Sequence, residues 1–91
     1  KSTMDKIIHR WSIRLNVDVK FWVTLYQHIK EGGVGAYWAA GWLTGIPLED
    51  VTSRIRVGQT EDYPTIPEAV LAAFELAVEK YNAFYNADTQ K

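Results

Sequence analysis

The arginines are the residues of this sequence whose type and spacing are best suited to chemistry. All four lie in two segments where apolar and polar residues alternate: Arg10 and Arg14 in the first, Arg54 and Arg56 in the second. Residues two or four positions apart point to the same side of a β-strand. A guanidinium group binds phosphate or carboxylate through two parallel hydrogen bonds. The pattern therefore predicts an arginine face that binds a nucleic acid backbone or an acidic partner.

A solvated surface is the competing interpretation of these arginines. The polar side of any half-exposed sheet needs charged residues, and arginine stems also cover apolar surface. The glutamates of the last predicted helix would then be available to pair with the arginines inside the same chain. The sequence leaves both interpretations open.

Catalytic and metal-binding chemistry is not indicated by the remaining polar residues. His9 and His28 each have one carboxylate at helical spacing, whereas a metal site needs three or more ligands. The chain has no cysteine, Ser12 and Ser53 lie in no nucleophile motif, and the segment GGVG lacks the Lys-Ser/Thr of a phosphate-binding loop. We therefore expect a protein that is not an enzyme and has no cofactor or metal.

Length and composition predict one small folded domain over residues 1–91, frayed at 1–6 and 87–91. Apolar residues make up 47% of the chain, which is typical of a folded protein. The net charge of −1 gives no global attraction to nucleic acid, so such binding needs a local patch. No apolar run reaches the roughly 18 residues that span a bilayer, and KSTMDK lacks the apolar core of a signal peptide. We expect a cytoplasmic protein without a membrane partner.

The elements that position the first arginine pair follow from a change of periodicity. Alternation predicts a strand from about Ile8 to Val17, and apolar residues then recur every four positions from Phe21 to Ile29, which predicts a helix over 19–31. Asp18 is the predicted N-cap of this helix. Gly32-Gly33 is its predicted end, because glycine adopts the left-handed conformation without steric cost.

A second helix and a second strand are predicted in the middle of the chain. The segment Val34–Leu43 is rich in alanine and aromatic residues and predicts a short buried helix that ends near Gly45. Leu48–Gly58 is ambiguous, because LEDVTSRIR also fits a helical turn, but Val51–Val57 favours a strand since β-branched residues alternate with polar ones. Because a lone strand needs a partner, we predict that it pairs with Trp11–Val17, with all four arginines on one side. The other side, packed on the helices, would carry Trp11, Ile13, Leu15, Val17, Ile55 and Val57. The aromatic stripe of Trp22, Tyr26, Tyr37, Trp38 and Trp42 is assigned to the core rather than to a ligand site.

The last helix has the clearest start signal. Thr65-Ile66-Pro67-Glu68 places threonine at the N-cap, proline at the first turn and glutamate where it closes a capping box. The helix is predicted to reach about Asn86. We name its regular apolar positions the seam, which is predicted to be core or, alternatively, a homodimer contact. The seam consists of Leu71, Phe74, Val78, Tyr81 and Tyr85.

These elements predict an α+β fold in which two short strands pack on three helices. An all-α fold with an irregular N-terminal arm is the alternative. The stretch HRWSIRLNVDVKFWVTLYQHIKEGGVGAYWAAGWL also resembles the helical segment that follows the ATPase core in phage and plasmid primase–helicase polypeptides. The points of similarity cover the first half of the chain and are His9-Arg10-Trp11, the Phe21-Trp22 and Leu25-Tyr26 pairs, Glu31-Gly32-Gly33 and Leu48-Glu49-Asp50.

The resemblance implies an accessory piece of a replication protein. It carries over no ATPase activity, because the chain has no Walker A or B motif. We therefore expect a non-catalytic interaction module of a phage or mobile-element replication protein, which binds nucleic acid or an acidic partner through the four arginines. The alternatives are a small phage-type inhibitor that binds a protein through an aromatic or acidic surface, and a homodimeric structural domain that uses the seam.

Overall fold

The computed structural model of the protein describes residues 4–29, 35–46 and 54–89. Within them the chain forms a four-stranded antiparallel sheet, in which each strand pairs with the next along the sequence, followed by one helix. The elements are β1 (Met4–Arg14), β2 (Lys20–Ile29), β3 (Gly35–Thr44), β4 (Ile55–Gln59) and α1 (Ile66–Thr89). One side of the sheet packs against α1 and forms the core.

The predicted fold of two strands on three helices is wrong, and the all-α alternative is wrong as well, because the first two predicted helices are β2 and β3. A spacing of four residues is also a multiple of two. Phe21 and Leu25 therefore share one side of a strand just as they would share one side of a helix. Val23 between them is buried as well, while Trp22 is 39% exposed, which is the alternation of a strand. The predicted stop at Gly32-Gly33 lies outside the described residues.

The predicted pairing of the two arginine-bearing strands is also wrong. β1 pairs with β2, β4 pairs with β3, and the two lie at opposite edges of the sheet. The prediction assigned no mate to β1 other than β4, because it read the true neighbours as helices. Residues 51–53 of the predicted second strand lie outside the described residues, and β4 begins at Ile55.

A polar turn connects β1 to β2 where the sequence predicts a helix N-cap at Asp18. The Asn16 Oδ1 accepts hydrogen bonds from the backbone N–H of Asp18 (2.7 Å) and Val19 (2.8 Å), and its Nδ2 donates to the Tyr81 hydroxyl (2.7 Å). Val17, predicted to face the helices, is 84% exposed in this turn. Asn16 thus joins the turn to α1.

Small residues allow α1 to approach the sheet closely. The buried side of the helix consists of Ala69, Ala73 and Ala77, in one cluster with Ala39 of β3. A Cβ at Gly41 would lie 2.0 Å from the Trp22 carbonyl oxygen, so only glycine fits there. Alanine and glycine are depleted in strands, which is why β3 resembled a helix in sequence. Their role here is to let the two layers pack together.

The start of α1 is confirmed, whereas its buried side differs from the seam. The Thr65 hydroxyl accepts from the Glu68 backbone N–H (3.4 Å), which is one of the two bonds of the predicted capping box, while the Glu68 carboxylate accepts from the Thr65 hydroxyl (2.8 Å) rather than from its backbone N–H. Of the seam, Tyr81 and Tyr85 pack against the core, but Leu71 is 57% exposed. Three alanines therefore occupy the place that the seam was expected to take.

Candidate functional site

The side of the sheet opposite α1 is the candidate site, and we call it the open face. Strand register defines its rows. Ser12, Trp22, Trp42 and Arg56 form one row across all four strands. Arg10, Thr24 and Ala40 form the next row, and Ile7, Tyr26 and Trp38 the one after it. No described helix covers this face, and the side chains in these rows are at least partly exposed except for Thr24, which is buried among them.

All four predicted arginines lie on the open face, although they arrive there from opposite edges. Arg10 and Arg14 are on β1, opposite Thr24 and Lys20 of β2. Arg56 is opposite Trp42, and the Arg54 Cζ lies 5.1 Å from the centroid of the Trp42 ring. All four side chains are exposed. The expected shared face is present, but the two arginine pairs are separated by the width of the sheet rather than adjoining.

The charge on the open face is predominantly positive. Lys20 adds a fifth cation, with its Nζ 5.8 Å from the Trp22 ring centroid. The strand residues of this face include one carboxylate, Asp5, which pairs with His28 Nδ1 (2.9 Å) and accepts from the Trp38 indole N–H (3.2 Å). The chain as a whole has a net charge of −1. Among the described residues, positive charge is therefore concentrated on this side of the sheet.

The glutamates of α1 do not neutralise the arginines. The helix lies on the other side of the sheet, and within the described residues the ion pair found is that of His28 with Asp5. Arg14 instead donates to the Val17 carbonyl oxygen over 2.6 Å. The pairing with helix glutamates that a solvated-surface interpretation offered is therefore not found in this part of the chain.

Four of the five residues in the aromatic stripe also lie on the open face rather than in the core. Tyr26 and Trp38 stack with ring centroids 4.1 Å apart. The Trp22 indole N–H donates to the Thr44 hydroxyl over 2.9 Å, which fixes its ring. Tyr37 alone turns to the helix side and packs against the core. Reading residues 20–44 with a period of two would have placed these rings correctly.

Two depressions of about 340 and 350 Å³ lie side by side between the tall side chains of the open face, and they share Thr24 and Trp42. The first continues toward β4 and is lined by Tyr26, Ala40, Gly41, Arg54, Arg56 and Gly58. The second continues toward β1 and is lined by Arg10, Trp11, Trp22 and Val23. Small residues in the row of Thr24 and Ala40 produce this low trough between walls of aromatic rings.

Other surfaces offer less chemistry. His9 stacks on Trp11 with ring centroids 5.3 Å apart, and within the described residues no three His, Cys, Asp or Glu side chains are grouped to hold a metal. The exposed Leu71 and the half-buried Phe74 and Val78 of the seam line a wide shallow groove on α1. None of the described helices is long and apolar enough to cross a membrane.

Comparison with known proteins assigns this chain to no family or fold relative. No family model, curated protein or solved structure matches the chain at a significant level. The resemblance to primase–helicase polypeptides therefore stays a prediction based on the residues quoted above.

Proposed function

We propose that this chain is a non-catalytic nucleic-acid-binding module that holds the phosphate backbone against the open face. The observation that carries the proposal is the placement of all four arginines on one face that no described helix covers and that also carries Lys20 and a single strand carboxylate. Guanidinium groups bind phosphate oxygens well because they are planar and always charged. Neutralising several phosphates releases counterions, which is the main source of affinity for nucleic acid.

The aromatic rings between the two arginine pairs favour nucleic acid over an acidic protein partner. The carboxylates of an acidic peptide need only the guanidinium groups for binding, whereas Trp22 and Trp42 offer ring surfaces on which nucleobases can stack. Three strand spacings separate β1 from β4, so the arginine pairs are about 14 Å apart across the sheet. That span suits an elongated polyanion. The context of a phage or mobile-element replication protein rests on the resemblance of the first half of the chain.

The test is fluorescence anisotropy with short labelled single-stranded and duplex DNA over a salt series. Four phosphate contacts give a log–log slope of magnitude up to about 2.8 for a single strand or 3.6 for a duplex. Replacing Arg54 and Arg56 by glutamate should flatten the slope by about 1.4 for a single strand. The variant should keep the wild-type circular dichroism spectrum, because both side chains are exposed.

The matched control is Lys6→Glu/Lys80→Glu, which changes the net charge by the same amount. Both lysines are exposed, and neither lies on the open face: Lys6 is opposite Gln27, whose neighbour on β3 is Tyr37, and Lys80 is on α1. This control should keep most of the wild-type affinity. An equal loss in both variants would mean that net charge alone attracts nucleic acid. Absence of binding by the wild-type protein at low salt would contradict the proposal and leave an acidic protein as the partner to seek.

A further inference from the structure

We infer that the open face binds single-stranded nucleic acid, with unpaired bases seated in the trough against Trp22 and Trp42. This inference rests on the proposed function and specifies its ligand. The trough is the row of low residues around Thr24 and Ala40, and it consists of the two depressions that share Thr24 and Trp42. Three features of this trough suit a single strand: the small or buried residues along its floor, the aromatic rings that form its walls and the arginines at its two ends.

The floor is low because the residues along it are small or buried. Thr24 is 5% exposed, and Ala40 beside it on β3 carries only a methyl group. The floor also borders the paired glycines Gly41 and Gly58, at a point where the register of β3 and β4 shifts. A bulge of this kind is common beside binding sites, because it redirects the neighbouring side chains. A planar group can therefore settle between the rows of rings.

The walls are aromatic and already held in place. On one side Trp22 and Trp42 are opposite each other, and the Trp22 ring is fixed by its hydrogen bond to Thr44. On the other side Tyr26 is stacked on Trp38. Rings that are fixed before binding lose little conformational freedom when a base stacks on them. Stacking on aromatic side chains is tolerant of base identity, because every base has a π face.

The ends of the trough carry the cations. Arg10 lines the depression nearest β1, while Arg54 and Arg56 line the one nearest β4. A strand that crosses the sheet would thus have its bases in the trough and its phosphates near arginine at either end. The Arg54 guanidinium already lies over Trp42, and a guanidinium plane of this kind is itself a stacking surface for a base.

Single strands fit these features better than a duplex does. In a duplex the faces of the bases are covered by their neighbours in the stack, so aromatic rings gain nothing from them. The major groove accepts an α-helix or a two-stranded ribbon, whereas this surface is a depression on a four-stranded sheet. The ring-lined trough would stay empty if the protein bound only the outside of a duplex.

The experiment compares four labelled ligands of 12 nucleotides in equal salt: oligo(dT), oligo(U), an abasic strand with the same phosphates, and a blunt duplex. We expect oligo(dT) to bind at least about tenfold more tightly than the abasic strand and the duplex, since base stacking on aromatic side chains contributes about 5- to 150-fold per base. The ratio of oligo(dT) to oligo(U) separates DNA from RNA as the source of the single strand.

Variants then assign the effect to the rings. Trp42→Leu should lower the affinity for oligo(dT) toward that of the abasic strand, while Trp42→Phe, which keeps a π face, should retain most of it. The Trp42 side chain is on the open face rather than in the core, so both variants are expected to fold, as checked by circular dichroism. If a variant fails to fold, the affinities of the wild-type protein for the four ligands still test whether bases bind in the trough.

The outcomes separate this inference from the proposed function. Equal, salt-dependent affinity for all four ligands would overturn the inference and leave a phosphate-binding face. Preference for the duplex would also overturn it. No affinity for any ligand would overturn both statements, and the open face would then be a surface for an acidic protein.

Discussion

Two glycines with positive φ, Gly45 and Gly58, show how much a single residue can decide in this sheet. Gly45 follows β3 with a φ of 85°, and a Cβ there would lie 1.9 Å from the Asp18 carbonyl oxygen in the β1–β2 turn. Gly58 lies in β4 with a φ of 101°, and a Cβ there would meet nothing within 4 Å. The two positions share the backbone conformation, and they differ in whether a side chain has room.

This difference predicts unequal effects of alanine. Gly58→Ala should lower the free energy of unfolding by about 1–2 kcal/mol, because only the backbone conformation is unfavourable for a residue with a Cβ. Gly45→Ala should cost more, at least about 3 kcal/mol, because the methyl group also collides with backbone. In a domain of this size, 1 kcal/mol corresponds to roughly 4–8 °C in Tm. Equal shifts in Tm by calorimetry would contradict the close contact at Gly45.

At the scale of elements, the packing of α1 depends on residues that have almost no side chain. Ala69, Ala73 and Ala77 are 0–2% exposed, whereas Leu71, a larger member of the predicted seam, is 57% exposed. Burying the alanines lets the helix approach Ala39 of β3, which a leucine-faced helix would not do. The sheet side supplies the bulk of the core instead, through Phe21, Leu43 and Val19.

Enlarging the alanine side of α1 should therefore be destabilising. Ala77→Leu should lower the free energy of unfolding by about 1–3 kcal/mol, because the added methylene groups have no space against the sheet. Ala83→Leu is the matched control, since Ala83 is exposed on the same helix and leucine is nearly as good a helix former. The control should stay within about 0.5 kcal/mol of the wild type. Urea titration followed by circular dichroism measures both, and similar midpoints would show that α1 packs loosely.

At the scale of the whole molecule, the sheet separates two surfaces of opposite character. The open face carries four arginines and Lys20, while α1 on the other side carries Glu68, Glu75 and Glu79. No described carboxylate forms an ion pair with an arginine. Charges arranged in this way contribute little to folding, and they create a field that attracts a polyanion to one side of the molecule.

Neutralising the β4 arginines should accordingly leave stability nearly unchanged. For Arg54→Gln/Arg56→Gln we expect a change within about 1 kcal/mol, because the contact of Arg54 with Trp42 is exposed and neither arginine forms an ion pair with a residue that the structure describes. The same variant should weaken nucleic-acid binding. The comparison uses thermal unfolding at low and high salt. A large loss of stability that disappears at high salt would instead show that the arginines pair with carboxylates in the folded chain.

The sequence predicted features that depend on neighbours along the chain. Thr65 and Glu68 lie three residues apart, so the N-cap bond from the Glu68 N–H to the Thr65 hydroxyl could be predicted directly, and the helix begins where it indicates. The even spacing within each arginine pair likewise predicted a common side, and both pairs lie on the open face, although Arg54 precedes β4. Both inferences need only local geometry, and both hold.

The alternation between residues 20 and 44 carried a signal that the four-residue spacing concealed. Trp22, Tyr26, Trp38 and Trp42 occupy even positions on one side, while Phe21, Val23, Leu25 and Ala39 occupy odd positions on the other. Val23, the odd position between Phe21 and Leu25, distinguishes a strand from a helix. A strand places it on the same side as these two residues, whereas a helix would turn it away from them. The alanine and glycine of β3 argued against a strand, because Ala39 is favoured by packing with α1 and Gly41 by its close approach to the backbone of β2.

The sequence by itself thus determined the start of the last helix, the absence of cysteine chemistry and the common side of each arginine pair. Only the tertiary structure decided that β1 and β4 lie at opposite edges, that α1 buries its alanines, and that aromatic rings fill the space between the arginines. The physical reason is that pairing of strands and packing of layers join residues far apart in the chain. Their free energy depends on which surfaces meet, and no local periodicity records that choice.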